Sequence, residues 1–155
     1  KGNENMMGLP AFDPHYDMKT GLCLVYGSGT ADRTSDAVDT LGFGGCSFLV
    51  ALAAVGASST YSVKVQQSSD DGGSDAYSDL EGTAITIADT DDDSLMRITI
   101  VEPQKRYLKL YVDKDTSHTD AELVIYELFR PKSAPCSTAG LSHNEHHVSP
   151  DEGTA

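Results

Sequence analysis

A chain in which every second side chain is apolar has little choice of backbone: successive residues point to opposite sides only in an extended strand with one face on a core. The stretch "TYSVKVQQS" (60–68) shows this pattern most cleanly, with Tyr61, Val63 and Val65 on one face and Ser62, Lys64 and Gln66 on the other. "MRITIVEPQKRYLKLYV" (96–112) repeats it on both sides of a Pro-containing turn. Met96, Ile98 and Ile100 alternate before the turn, and Leu108, Leu110 and Val112 after it. No stretch of the chain sustains a helical period.

Shorter segments join this set. "GLCLVYG" (21–27) is an apolar run between glycines, and "CSFLVALAAVG" (46–56) is read as a strand from its flanking glycines and the β-rich sequence that follows. "TAITIAD" (83–89) is another short strand. "AELVIYELF" (121–129) is apolar on both faces, so it either lies centrally in a sheet or is covered by a partner. "SGTADRTSDAVDT" reads as a polar connection, and "SDDGGSDAYSDLEG" and "DTDDD" as Asp/Gly turns. Many short strands separated by such turns predict an all-β, jelly-roll-like β sandwich over 21–130. Residues 1–20 carry scattered Met, Phe and Tyr without a period and read as an extended N-terminal arm that docks on something. Residues 131–155 have few large apolar side chains and read as a C-terminal tail that cannot bury itself and is held by another chain if ordered.

At 155 residues the chain suits one domain with extended ends. Its net charge of −13 argues against nucleic acid and against an anionic membrane surface, since both are bound chiefly by Lys and Arg. "FLVALAAVGA" is too short to span a bilayer, and no charged-then-apolar leader opens the sequence, so a soluble protein made in a reducing cytoplasm is expected. Cys23, Cys46 and Cys136 are odd in number and lack C-x-x-C spacing, which predicts free thiols.

Chemistry is sparse. The acids of 70–93 (Asp70, Asp71, Asp75, Asp79, Glu81, Asp89, Asp91, Asp92 and Asp93) have no base among them. Against an EF-hand loop, Asp89, Asp91 and Asp93 fit the first ligand positions, but Ser94 stands where Gly is required and Ile100 where Glu is required. "SHNEHH" sets His143, His146 and His147 near Glu145 at a spacing unlike a closed zinc site. There is no G-x-S-x-G elbow, and His15, His118, His143, His146 and His147 all lie in loops or ends without a rigid scaffold. No catalytic residue, metal ligand or cofactor site is therefore assigned, and an enzyme is not expected. A carbohydrate-binding module is an alternative occupation for a small jelly roll, but the chain has no Trp platform and would have to use its seven tyrosines.

Three stretches carry a resemblance: "SFLVALAAVGASSTYSVKVQQSSDDG", "LMRITIVEPQKRYLKLYV" and the terminal "VSPDEGTA". Together they resemble the jelly-roll capsid cement or decoration proteins of tailed bacteriophages. The resemblance implies a structural virion protein, assembled in the host cytoplasm, that binds the outer capsid surface and bridges capsomers. Its partners would be the major capsid protein and other copies of itself, as dimer or trimer. A head-tail connector or tail-associated protein of the same fold is the alternative within the virion.

The candidate interface residues are Phe12 and Tyr16 in the arm, Leu123, Ile125 and Phe129 in the closing strand, and Pro131, Pro135, Val148 and Pro150 in the tail. To these are added the bases Lys105, Arg106 and Lys109. In one reading those bases only solubilise a strand edge. In the other they form a positive spot that pairs with acidic loops of a neighbouring copy or with capsid carboxylates.

Overall fold

The computed structural model describes residues 14–56, 60–114 and 121–145. A helical turn, α1 (Pro14–Asp17), leads into β1 (Met18–Ser28). There follow β2 (Arg33–Thr34), β3 (Val38–Asp39), β4 (Phe43–Leu52) and β5 (Thr60–Ser68). The set ends with β6 (Ser78–Asp79), β7 (Ile85–Ala88), β8 (Leu95–Val101), β9 (Tyr107–Asp113) and β10 (Ala121–Pro131).

Two antiparallel sheets face each other. The first has the order β1-β10-β4-β8, and the second β2-β9-β5-β6, with β3 also on β9 and β7 also on β5. β2 and β3 lie end to end along β9, and β6 and β7 end to end along β5, so each pair acts as one edge strand. Taken that way, the chain changes sheet at every connection except the one from β5 to β6. This is the wrapping of a jelly roll.

The alternating strands turn the expected faces inward. Val63, Val65, Leu108, Leu110 and Val112 of the second sheet meet Cys46, Phe48, Val50, Val124 and Leu128 of the first, all fully or almost fully buried. β10 lies centrally in its sheet, between β1 and β4, with Val124 and Leu128 turned into the core and Leu123, Ile125 and Phe129 turned outward. The boundaries differ in places from the sequence reading. β1 starts at Met18, inside the stretch read as arm, and β10 runs on to Pro131. The polar connection and the first Asp/Gly turn also hold the short strands β2, β3 and β6, which at two residues each are too short to leave a hydrophobic pattern, although Val38 of β3 is buried in the core.

Part of the tail is held by its own domain. Lys132 donates its backbone N–H to Gly42, Cys136 is buried, and Gly140 lies against Thr20 and Gly21 of β1. All three cysteines are free and buried; burial pushes the Cys23 thiol up to about 12 and raises Cys46 and Cys136 as well.

Candidate interaction surface

The outer faces of the two sheets are built differently. On the second sheet, β5 and β9 turn Lys64, Gln66, Tyr107, Lys109 and Tyr111 outward, and each base has an acid of the same chain beside it. Lys64 Nζ is 2.8 Å from Asp79 and 5.0 Å from the centre of the Tyr111 ring. Lys109 Nζ lies 4.3 Å from the Tyr77 ring centre and 3.7 Å from Asp71.

Lys105 donates to both carboxylate oxygens of Asp75, at 2.7 and 3.0 Å. That bond, with those from Ser69, holds the Asp75 carboxyl down at about 2. Arg106 grips Asp39 with two hydrogen bonds of 2.8 and 2.7 Å, and its guanidinium carbon lies 4.9 Å from the Tyr107 ring centre. The three bases of the 102–109 region are thus paired within the chain, with acids from the 70–75 turn and from β3. One flat face each of Tyr77, Tyr107 and Tyr111, of the kind a sugar ring would need, is taken by a cation.

On the first sheet the strand register sets outward side chains in four rows. Met18, Phe129, Gly45 and Val101 form one row, and Thr20, Glu127, Ser47 and Thr99 the next. Leu22, Ile125, Leu49 and Arg97 form the third, and Leu123, Ala51 and Leu95 the fourth. The outer face of an antiparallel sandwich is ordinarily polar. Here it is mostly apolar, and its edge strands add exposed Leu22, Val25 and Tyr26 on β1 and Leu95 and Val101 on β8.

The Phe129 ring lies flat over Gly45, where an added Cβ would fall 2.3 Å from the ring and 2.8 Å from the Ile100 carbonyl oxygen. Only glycine fits there. Beside it, Asp17, Met18, Ser47, Arg97, Glu127, Phe129, Arg130 and Pro131 line a depression of about 630 Å³. Leu123, Ile125 and Phe129 therefore fall on one surface, with Pro131 at its end, whereas Lys105, Arg106 and Lys109 belong to the second sheet and its loop. Pro135 is exposed in the tail, and Tyr16 sits in α1. Phe12, Val148 and Pro150 lie outside the described residues.

Between the sheets, at one end, sits a charged group that the sequence did not disclose. The Glu122 carboxylate is fully buried and accepts from Arg33 Nη1 at 2.6 Å, while Lys114 Nζ lies 2.8 Å from its other oxygen. Arg33 also donates to the carbonyls of Gly27 and Val25 on β1. The Lys114 backbone N–H donates to Asp32, which also accepts from the Tyr111 hydroxyl. Arg33 stands on β2 and Lys114 directly after β9, both of the second sheet's side, and Glu122 on β10 of the first, so the triad ties the layers together.

Two of the acids at 89–93 accept from backbone N–H groups, Asp91 from that of Ala88 and Asp92 from that of Val55. Among the described residues no group of three or more His, Cys, Asp or Glu could hold a metal ion, and no helix is long and apolar enough to cross a membrane.

No family model matches the sequence, and no curated protein matches it. The chain is similar to a chain of Bacillus endospore appendages, a family of disulfide-linked pili, at 11% identity and a TM-score of 0.44, covering 75% of this chain and 90% of that one. It is also similar to the PBSX exported protein XepA, at 12% identity and a TM-score of 0.48, covering 86% of this chain but only 43% of that one. At these TM-scores the likeness is one of shape in part, and it says nothing of what the chain does.

Proposed function

We propose that this chain is a non-catalytic structural protein of a tailed-phage particle, acting as a cement or decoration subunit on the head lattice. The observation that carries an assembly role is the outer face of the first sheet, which a self-sufficient sandwich would present as polar. Apolar surface gathered on one side of a small soluble domain marks a contact site, because solvating it costs free energy that a partner relieves. The phage setting rests on the resemblance of stretches within residues 38–130, and of the last eight residues, to cement proteins.

The chemistry fits a static role. A two-layer sandwich with its sheets clamped by a buried ion triad is a stiff spacer, and repetition over a lattice turns weak contacts into strong retention. The paired charges of the second sheet suit a face left in solvent, where ion pairs add little to affinity.

The test is the copy number of this chain per major capsid protein in purified particles, by quantitative mass spectrometry. A ratio near one, or a simple lattice fraction of it, is expected for cement. A handful of copies per particle would move the chain to the portal or tail, and none would remove it from the virion.

A further inference from the structure

We propose that the outer face of the first sheet closes on the same face of a second copy of this chain. The inference rests on reading that face as an assembly surface and names its occupant. Three observations point to self-pairing.

The first is charge. Two copies that each carry −13 repel, so they meet only where the acids are few. The four outward rows of the first sheet contain one acid, Glu127, and one base, Arg97, and so form a neutral contact on an acidic protein.

The second is symmetry. A two-fold contact uses one patch twice, so each charge must meet its opposite when the patch is turned onto itself. Arg97 stands on β8 and Glu127 on β10, on opposite sides of β4 and one row apart. A two-fold axis along β4 carries the Arg97 of each copy to the side of the other's Glu127, a displacement that an arginine side chain spans. Within one copy the pair is stretched to 3.5 Å and Arg97 is 59% exposed, which leaves guanidinium donors for a second carboxylate.

The third is relief. Along the proposed axis β4 leaves Leu49 and Ala51 partly exposed, while Gly45 already lies under Phe129 and Ser47 is buried. Ser47 is satisfied by the Thr99 hydroxyl at 2.9 Å, so covering it strands no polar group. The flanking Ile125 and Leu123 supply the apolar contact.

The test is sedimentation equilibrium on the full chain and three variants, with melting curves to confirm that each is folded. The wild type is expected to form a dimer at micromolar concentration, and Ile125→Glu a monomer. Arg97→Glu and Glu127→Arg should each self-associate about tenfold or more weakly, because every copy then meets its own sign across the axis. Mixed one to one, those two variants should recover the dimer as a heterodimer, since a patch carrying two acids then faces a patch carrying two bases.

A monomeric wild type, single variants that pair as well as the wild type, or a mixture that does not associate would each overturn the proposal. Particle occupancy separates this from the functional reading: a monomer found at lattice stoichiometry removes the second copy but leaves the structural role, and a dimer never found in particles does the reverse.

Discussion

The two sheets share one core and differ in what they turn to solvent. The second sheet is self-contained: Lys64, Lys105, Arg106 and Lys109 each sit against an aspartate of the same chain, and three of them also lie over tyrosine rings. The first sheet has apolar rows crossed by the long Arg97–Glu127 ion pair. The difference teaches where an acidic protein keeps its contacts. A face whose charges are paired internally has little to offer a partner, whereas a face that buries apolar area on contact gains roughly 25 cal/mol for each Å² removed from water.

That contrast requires the layers to hold a fixed relation, so the largest effect is expected where the hold is removed. Glu122→Ala leaves Lys114 and Arg33 without their shared carboxylate in a buried site, and should cost about 3–5 kcal/mol in urea unfolding. Glu122→Leu, which also fills the space, should cost no less while both cations remain. Unchanged unfolding midpoints would mean that the triad does not clamp the sheets.

Next in size is Ile125→Glu, a charge placed in the middle of the apolar rows. Its side chain points away from the core, so the variant should melt within a few degrees of the wild type yet lose self-association and particle occupancy. Equal loss from a substitution on the second sheet would erase the distinction between the faces. Arg106→Ala and Lys109→Ala are that control, and both should bind particles and associate as the wild type does.

The smallest expected effect is a titration. Asp75 is held at about 2 against an ordinary 3.8, so the Lys105 contact stabilises the folded chain above about pH 4 and is lost as the pH falls through 2. Followed by NMR, the Asp75 midpoint should lie near 2 in the wild type and move toward 3.8 in Lys105→Met. An unmoved midpoint would assign the depression to the Ser69 hydrogen bonds instead.

Much of this architecture was legible in the residues. The alternation of 60–68 and 96–112 marked β5, β8 and β9 with their inward faces, and the two-sided apolarity of 121–129 left β10 either central or covered by a partner, of which the structure shows the central place. Three of the candidate contact residues, Leu123, Ile125 and Phe129, do lie on one face, because they are alternate residues of that strand.

What escaped was non-local. β2, β3 and β6 are two-residue strands whose existence depends on the long strands beside them. The Arg33–Glu122–Lys114 triad joins residues far apart in sequence, and no local pattern announces it. The bases at 105–109 stood out as isolated positive charge only because their aspartates, at 39, 71 and 75, lie elsewhere in the chain. The tail, read as unable to bury itself, places Cys136 against the domain because the chain turns back along β1 after Pro131.

On the proposed function, the first sheet's outer face is where this protein assembles. The most direct test is to let wild-type chain and Ile125→Glu compete for the same particles and count each by mass spectrometry against the major capsid protein. The account predicts wild type at a simple fraction of the lattice and the variant at no more than trace level. Equal occupancy by the two chains would contradict it.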